Sequence, residues 1–278
     1  MTELRDAVTV ITGAGSGIGS ALARRFAAEG AAAVVVTDLD GASAERVAAE
    51  VGGERHALDV TDAEALERLV EQVLERHGRI DVFCSNAGIA LGTGPADPLA
   101  DWQRALDVNL LAHVTAARAV LPGMLARSCG HLLQTCSAAG LLSSPGDAAY
   151  AVSKHAAVAL AEWLALTYAA RGIRVSALCP MGVATPLLMD PLAAGQPAAA
   201  AVAASGPILA AEDVADAVVE GLCENRFLIL PHPQVARYWA AKAADPQRWL
   251  DVMSQSFSRQ ARSDAVNEEF QNMSGQQR

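Results

Sequence analysis

The stretch that decides the fold is Ala7–Gly19, AVTVITGAGSGIG. Its first half, Ala7–Thr12, is a short apolar run with β-branched residues, which predicts a buried strand. Four glycines follow within seven residues, and a helical pattern then continues to Gly30. Glycines let the backbone approach a pyrophosphate, and a helix N-terminus supplies N–H groups and a positive dipole end. Strand, glycine turn and helix in this order predict a phosphate-binding loop.

The next predicted strand, Ala33–Thr37, ends at Asp38, 19 residues after Gly19. A carboxylate at this distance from a glycine-rich turn can accept hydrogen bonds from an adenosine ribose. The alternative interpretation is a helix cap, because Asp38 precedes a predicted helix over 42–51. The two interpretations are compatible with each other.

Strands and helices alternate along the rest of the chain, which predicts a parallel sheet with helices on both faces. Because the connections are short and no repeat or linker is present, the sequence predicts one α/β domain over 1–231, followed by a C-terminal helical extension over 232–278. The further predicted strands are Arg55–Leu58, Ile80–Cys84, His131–Cys136, Ile173–Cys179 and Phe227–Leu230. Four further helices are predicted. The first covers 62–77 and is capped by Thr61 or Asp62, and the second covers 98–127. The third carries Tyr150 and continues to about Ala170, and the fourth is Glu212–Cys223.

Composition excludes several classes of function. A net charge of −10 argues against nucleic acid or an anionic membrane as partner, since both require basic patches, and solubility is the simpler explanation of the acidity. The five cysteines are scattered without metal-binding spacing, which predicts free thiols in a reducing compartment and no metal site. The N-terminus has no signal-peptide pattern, and the Ala-rich stretch 193–211 is broken by Gly and Pro. We therefore expect a soluble, cytoplasmic protein.

A second informative stretch is Ser137–Lys154, SAAGLLSSPGDAAYAVSK. Tyr150 and Lys154 are four residues apart, so on a helix they share one face. A phenol titrates near pH 10, and an ammonium one turn away is expected to lower that pKa. Ser137 follows a predicted strand, which puts its hydroxyl at the sheet edge where α/β proteins bind ligands. The alternative is a surface helix with an ordinary Tyr and Lys.

Asn109 lies in the interior of the predicted helix over 98–127, where asparagine is a poor helix former. It could simply face solvent. Its apolar neighbours Val108, Leu110 and Leu111 instead predict at least partial burial, and a buried amide requires hydrogen-bond partners.

Taken in order, these motifs resemble the short-chain dehydrogenase/reductase family in its compact single-domain branch. The resemblance covers roughly 5–230. The motifs that carry it are TGAGSGIG at Thr12–Gly19, SNAG at Ser85–Gly88, Asn109, Ser137, YAVSK at Tyr150–Lys154, and CPMGVATPL from Cys179.

The resemblance implies a Rossmann-type doubly wound sheet and an NAD(H)-dependent hydride transfer at a secondary alcohol or ketone. It implies that Tyr150 is the general base and that Lys154 lowers the pKa of Tyr150 and holds the nicotinamide ribose. It also implies that Ser137 binds the substrate oxygen and that Asn109 holds a water in a proton relay. Asp59 and Val60 would meet the adenine and Thr185 the carboxamide. The full set of expected cofactor-binding residues is Gly13, Ser16, Gly17, Ile18, Gly19, Asp38, Leu39, Asp59, Val60, Asn86, Ala87, Gly88, Tyr150, Lys154, Pro180, Val183 and Thr185.

Asp38 favours NAD over NADP, because a 2′-phosphate would lie beside its carboxylate and no compensating Arg or Lys is adjacent in the sequence. Three departures from the family pattern are present. Ser85 stands where Asn is more frequent, and Met181 stands where Gly usually follows the proline, so its backbone must avoid a positive φ or be strained. The 48 residues after Leu230 exceed the minimal fold.

The C-terminal extension carries apolar and aromatic residues at helical spacing, which predicts burial of this stripe against its own domain or a neighbouring subunit. The stripe comprises Val235, Tyr238, Trp239, Lys242, Trp249, Met253 and Phe257. Family members commonly pair through the helices that here span 98–127 and 148–170, so we expect a homo-oligomer, a tetramer or a dimer.

The segment between Thr185 and Glu212 is predicted to be a loop that covers the substrate. Its apolar composition favours a hydrophobic alcohol or ketone over a sugar phosphate. A competing function is a catalytically silent dinucleotide-binding sensor or scaffold, but such a protein would usually lack the Tyr or the Lys. Epimerase and enoyl-reductase relatives fit less well, because their glycine or Tyr–Lys spacings differ.

Overall fold

The computed structural model describes residues 2–255. Its strands form one sheet of seven, in the order β3-β2-β1-β4-β5-β6-β7, and every neighbouring pair is parallel. The strands are β1 (Val8–Thr12), β2 (Ala33–Asp38), β3 (Glu54–Ala57), β4 (Val82–Ser85), β5 (Gly130–Thr135), β6 (Ile173–Leu178) and β7 (Leu228–Ile229).

The helices before β6 are α1 (Gly17–Ala28), α2 (Gly41–Val51), α3 (Ala63–His77), α4 (Leu99–Leu106), α5 (Ala112–Ala126), α6 (Ala139–Leu142) and α7 (Ala148–Tyr168). A π turn, Asp107–Leu111, joins α4 to α5, and a 3₁₀ turn, Ala169–Arg171, ends α7. The later helices are α8 (Pro186–Ala193), α9 (Pro197–Ala204), α10 (Ala211–Cys223), α11 (Gln234–Ala244) and α12 (246–255).

Hydrophobic cores lie on both faces of the sheet. On one face α3, α5 and α7 contribute residues such as Leu69, Val120 and Leu164, and on the other α1 and α10 contribute Leu22 and Val218. The central strands β1 and β4 are buried along their whole length, as parallel strands covered on both faces should be. The predicted doubly wound α/β fold is therefore confirmed.

Two aspartates fix the starts of helices on the β3 side of the sheet. The Asp40 carboxylate accepts a hydrogen bond from Ala42 N (3.1 Å) and caps α2, and that of Asp62 accepts from Ala65 N (2.9 Å) and caps α3. The alternative interpretation of Asp38 as a helix cap is therefore wrong, because Asp40 has that function and Asp38 is the last residue of β2.

The helix predicted over 98–127 is interrupted by the π turn, which a sequence pattern does not distinguish from α-helix. By length and composition Leu99–Ala126 could cross a membrane, and within 2–255 it is the one segment of this kind. Ala116, Val120 and Met124 of α5 lie in the protein core, and a core helix has the same composition.

The segment predicted as a loop between Thr185 and Glu212 contains the two short helices α8 and α9. Pro186 and Pro197 each stand in the first turn, where proline needs no N–H partner and its φ is already helical. Within the stretch 193–211, which Gly and Pro interrupt in the sequence, Pro197 begins a helix. α8 has no buried residue and α9 has only Ala199, so both helices lie on the surface.

The described part of the C-terminal extension, residues 232–255, folds back onto the domain. Val235 of α11 is fully buried, and Lys242 Nζ donates a hydrogen bond to the carbonyl of Leu141 at the end of α6 (2.7 Å). The rings of Tyr238 and Trp249 lie 6.2 Å apart. The expected burial of the stripe is only partial, since Trp239 remains 40% exposed. Phe257 lies outside the described residues, and the division of the chain at residue 231 stays a prediction.

Candidate active site

A cavity of about 1100 Å³ opens at the carboxyl edge of the sheet. It is lined by residues that directly follow the strands, among them Gly13 after β1, Leu58 after β3 and Asn86 after β4. Small-molecule sites usually measure about 300–1000 Å³, so this cavity has room for more than one ligand. The expected site residues that line it are Gly13, Ser16, Gly17, Ile18, Asp38, Leu39, Asp59, Val60, Asn86, Ala87, Gly88, Ser137, Tyr150, Lys154, Pro180, Val183 and Thr185.

The glycine turn is built so that side chains cannot replace its glycines. Gly13 and Gly17 have φ values of 62° and 52°, which disfavour any residue with a Cβ. A Cβ on Gly13 would lie 2.7 Å from Ala87 Cα. Because α1 begins at Gly17, its N-terminal N–H groups and positive dipole end adjoin the cavity. This turn therefore fits a pyrophosphate.

Gly19 differs from the other glycines, because it does not line the cavity. A Cβ there would lie 2.2 Å from the Gly13 carbonyl oxygen and 2.6 Å from Asn86 Nδ2. This glycine permits close packing behind the turn, and its expected contact with the cofactor stays a prediction.

Asp38 lies at the cavity with its carboxylate held from two sides. One oxygen accepts a hydrogen bond from Gly15 N (2.9 Å) and the other from Asp40 N (3.0 Å). Arg46 of α2 also reaches this region, because its guanidinium donates to the Gly15 carbonyl (2.9 Å) and to Glu50 (3.0 Å). The expectation that no basic side chain is close to Asp38 is therefore wrong for the folded structure. Arg46 nevertheless does not line the cavity, and its guanidinium is already paired.

Asn86 ties three strand ends together. Its Nδ2 donates to the Thr12 carbonyl (2.9 Å), its backbone N–H donates to Thr12 Oγ1 (2.9 Å), and its Oδ1 accepts from Thr135 Oγ1 (3.1 Å). These bonds join the ends of β1, β4 and β5, and they fix the backbone around the glycine turn. The substitution of Ser for the more frequent Asn at residue 85 leaves this arrangement in place.

Lys154 is almost completely buried on the inner face of α7. Its Nζ donates a hydrogen bond to the Thr135 carbonyl (2.8 Å) and lies 5.7 Å from the centre of the Tyr150 ring. Burial lowers the pKa of the ammonium to about 8. The predicted sharing of one helix face by Tyr150 and Lys154 is thus observed.

The expected lowering of the Tyr150 pKa by Lys154 is not observed. Loss of water around the ring raises the pKa of Tyr150 to about 12, while a hydrogen bond with Ser137 opposes the increase and the Asp147 charge adds to it. The physical reason is that the ammonium of Lys154 is directed at the Thr135 carbonyl and is itself poorly hydrated. At neutral pH the phenol therefore carries its proton.

Ser137 faces the cavity one residue after Cys136, just beyond β5. Its Oγ accepts a hydrogen bond from Ala139 N (3.1 Å), and the next residue, Ala138, donates its N–H to the Pro180 carbonyl (2.8 Å). The hydroxyl is thus fixed between the ends of β5 and β6, where it can donate its own proton to a ligand oxygen.

Asn109 lies in the π turn and is fully buried, but it does not line the cavity. Its Oδ1 accepts from Ile89 N (2.9 Å), and its Nδ2 donates to the Ile89 carbonyl (2.9 Å) and to Ser153 Oγ (3.0 Å). The buried amide thus has the partners that the sequence required. They hold the loop after β4 against α7. The expected role of Asn109, holding a water in a proton relay, stays a prediction.

Asp147 was missed by the sequence reasoning. This buried carboxylate caps α7 and accepts five hydrogen bonds, from the Tyr150 N–H, the Thr93 N–H and hydroxyl, and the backbone of Leu91 and Gly92. It joins the start of the helix that carries Tyr150 to the loop after β4. The available signal was an aspartate three residues before Tyr150, which is the position of an N-cap.

His232, also missed, fixes the loop after β6. Its Nδ1 accepts from Met181 N (3.1 Å), and its Nε2 donates to the carbonyls of Gly182 (3.1 Å) and Pro207 (3.2 Å), as a neutral imidazole must. Met181 has no positive φ, so the replacement of the family's Gly introduces no backbone strain. Burial lowers the pKa of His232.

The two ends of the cavity are closed by loops. At the β3 end Asp59 accepts hydrogen bonds from the N–H and hydroxyl of Thr61 (2.9 and 2.7 Å). At the β6 end Thr185 approaches the glycine turn, because a Cβ on Gly17 would lie 2.9 Å from Thr185 Cγ2. The glycine turn therefore lies between two walls that could enclose an elongated ligand.

A glycine turn on a doubly wound sheet, with a serine, a tyrosine and a buried lysine in one cavity, is typical of nucleotide-dependent oxidoreductases. The sequence profile described as short chain dehydrogenase matches residues 7–194. The chain belongs to the short-chain dehydrogenase/reductase family, as its motifs predicted.

Individual relatives agree with this assignment. The 1-deoxy-11-beta-hydroxypentalenate dehydrogenase of Streptomyces exfoliatus is 41% identical over 242 residues, 82% of this chain and 83% of that protein. The meso-2,3-butanediol dehydrogenase of Serratia marcescens is 38% identical over 182 residues, 64% of this chain and 72% of that protein.

A solved structure is similar over most of the chain. It is a short chain dehydrogenase/reductase from Burkholderia phymatum in complex with NAD, with a TM-score of 0.81 and 30% identity, covering 89% of this chain and 96% of that one.

Proposed function

We propose that this oxidoreductase transfers a hydride between NAD(H) and a secondary alcohol or ketone, most favourably a hydrophobic one. The observation that carries the proposal is that Ser137, Tyr150 and Lys154 line the same cavity as the glycine turn and Asp38. A site for acid–base chemistry and a site for a dinucleotide are thereby contiguous.

The nicotinamide, when bound, supplies the hydride or accepts it. Ser137 donates a hydrogen bond to the substrate oxygen and polarises it. Tyr150 transfers the proton at the same oxygen, and its raised pKa keeps the phenol protonated, which suits proton donation to a ketone. In the oxidation direction Tyr150 must accept a proton, so its pKa has to fall in the loaded enzyme. Lys154 is the cation available for this purpose and for holding the nicotinamide ribose.

Asn109 and Asp147 act indirectly in this proposal. Asn109 holds Ile89, and Asp147 holds the backbone around Gly92, so the loop after β4 keeps one position relative to Tyr150. A water retained by Asn109 remains the family expectation for proton relay.

The choice of NAD over NADP rests on Asp38. A 2′-phosphate about 4 Å from its carboxylate would cost about 4 kcal/mol at an effective dielectric near 20, before solvent screening. Arg46 offers little compensation, since its guanidinium already serves Gly15 and Glu50. The Burkholderia phymatum neighbour, which binds NAD, supports the same choice.

The test is to measure kcat/KM for a series of secondary alcohols with NAD and with NADP, read by absorbance of the reduced nicotinamide. We expect at least tenfold preference for NAD, and Asp38→Ala should narrow it. Asp59→Ala is the matched control, because this carboxylate also lines the cavity but should affect both cofactors equally. Equal kcat/KM values with NADP and with NAD would refute the assignment of Asp38. Absence of turnover with every alcohol and ketone would refute the proposed function.

The expected homo-oligomer, a tetramer or a dimer, also remains a proposal. Val152, Trp163 and Leu166 of α7 are exposed, by 49%, 56% and 85% of their surface, and form an apolar face that a second copy could cover. A monomer in light scattering at micromolar concentration would contradict it. A cytoplasmic location without nucleic-acid or membrane partners is proposed from the acidic charge and the family.

A further inference from the structure

The C-terminal extension contributes one wall of the cavity, although the family resemblance ends before it. Tyr238 of α11 and Trp249, Val252 and Met253 of α12 line the cavity. We call these four residues the C-terminal wall. The cavity continues from this wall along α8 and α9 through residues such as Leu188 and Val202.

The charge of the lining changes along the chain. The lining residues from α8, α9 and the C-terminal wall are all uncharged. Within the described residues 2–255, the charged residues of the lining all precede residue 155, and they are Asp38, Asp59, Arg104, Asp107, Asp147 and Lys154. Among these described residues, a ligand group lying against the C-terminal wall therefore meets aromatic and aliphatic surface without an ion-pair partner.

The position of the wall is set by contacts between α11 and α6. The Lys242–Leu141 hydrogen bond fixes α11 to α6, and the neighbouring Leu142 also lines the cavity. α6 begins two residues after Ser137, so the wall is held relative to the catalytic hydroxyl. The rings of Tyr238 and Trp249 lie 6.2 Å apart and are tilted by 46° to each other, so they form one aromatic pair in the wall.

We infer that the C-terminal wall is the binding site for the apolar body of a bulky, uncharged secondary alcohol or ketone. This inference rests on the proposed function and names its substrate class. The carbon whose oxygen meets Ser137 and Tyr150 is oxidised or reduced, while the apolar body of the molecule lies against Tyr238 and Trp249. Burial of apolar surface there favours large substrates over small ones in kcat/KM.

The test compares a small and a bulky alcohol, butan-2-ol and the bicyclic 1-decalol, in three variants of the full chain. Trp249→Ala should lower kcat/KM for 1-decalol at least tenfold and change that for butan-2-ol by less than twofold. Trp249→Phe should restore most of the loss. The matched control is Trp239→Ala, because Trp239 lies in the same extension but does not line the cavity, and it should alter neither value.

A binding measurement separates this inference from the reaction itself. The ketone 1-decalone is dialysed against the protein with oxidised NAD, a pair that cannot exchange a hydride, and its bound fraction is measured. If no alcohol is oxidised but 1-decalone binds and Trp249→Ala weakens binding tenfold, the wall is supported and the proposed reaction is wrong. Equal losses for both alcohols in Trp249→Ala, equal effects of Trp239→Ala, or no binding of 1-decalone to the unmodified protein would each overturn the inference.

Discussion

The two halves of the cavity are built in different ways. The half around the glycine turn consists of strand ends and the inner face of α7, whose side chains are hydrogen-bonded to the ends of the strands, as Asn86 and the buried Lys154 are. The other half consists of α8, α9, α11 and α12, and the first three of these contribute only Ala199 and Val235 as buried residues. The first half is held by the sheet, whereas the second half is attached to its surface.

The difference separates chemistry from specificity. Proton transfer requires donor and acceptor within hydrogen-bond reach, so its groups must stand on rigid elements. Recognition of an apolar body requires area and shape, which surface helices can supply and change without disturbing the sheet. We therefore expect substitutions in the first half to affect the rate and stability, and substitutions in the second half to affect the choice of substrate.

The largest effect is expected for Tyr150→Phe. Removing the hydroxyl removes the proposed proton donor, so turnover should fall by about 10²–10⁴-fold while NADH still binds. Steady-state rates and NADH fluorescence titration measure the two properties. Tyr168→Phe, at the far end of the same helix, is the control and should keep the original rate. A Tyr150→Phe protein with near-original turnover would show that the chemistry lies elsewhere.

Asp147→Ala should give the next largest effect. The change leaves five hydrogen-bond donors without their acceptor, and each buried unpaired group costs about 1–3 kcal/mol. We expect a loss of at least about 3 kcal/mol in the free energy of unfolding, measured by urea denaturation, and a smaller loss for Asp147→Asn. Asp190→Ala, on the exposed surface of α8, should change it by less than about 0.5 kcal/mol. Similar losses in the free energy of unfolding for Asp147→Ala and Asp190→Ala would contradict the distinction between the two halves of the cavity.

The smallest effect concerns His232, which joins the two halves. Because the folded-state pKa lies below the ordinary 6.5, the unfolded chain binds more protons between those two values. The free energy of unfolding should therefore fall as pH decreases below about 6.5, by up to about 1.4 kcal/mol per pH unit for this one group. His232→Asn should make the dependence shallower, measured by urea denaturation between pH 7 and pH 5.

The control for this prediction is His155→Asn, since His155 lies on the exposed face of α7. His113 and His131 remain in both variants, and burial lowers the pKa of each to about 3, so some acid sensitivity persists. An identical slope for the His232→Asn protein would mean that this imidazole does not titrate with unfolding.

The sequence predicted the first half of the cavity well, because its constraints are local. A glycine turn needs glycines at fixed spacing, and strands such as Ala33–Thr37 were found to within one residue because they are apolar along their length. The family resemblance then named the residues at the strand ends. Among the expected site residues, Gly19 and Asn109 do not line the cavity but pack behind its lining.

The remaining features depend on contacts between distant parts of the chain. Asp147 binds residues more than fifty positions earlier, and His232 binds Met181 across 51 positions. The N-cap position of Asp147 is a local signal, but no local pattern reveals these long-range hydrogen bonds. In a sequence, the prolines at the starts of α8 and α9 are equally consistent with the end of a helix and with its first turn. The raised pKa of Tyr150 follows from burial, which a Tyr–Lys spacing does not encode.

The π turn over Asp107–Leu111 makes this part of the chain sensitive to changes in length. A π turn holds one residue more than an α turn, so deleting one residue would let α4 and α5 join as a continuous α-helix. Each α-helical residue turns the chain by about 100°, and α4 would rotate by that angle because α5 is fixed in the core. Arg104 would then leave the cavity rim, and Asn109 would lose Ile89. Point substitutions on the outer surface of this segment should survive in related chains, whereas single-residue deletions within 107–111 should be eliminated.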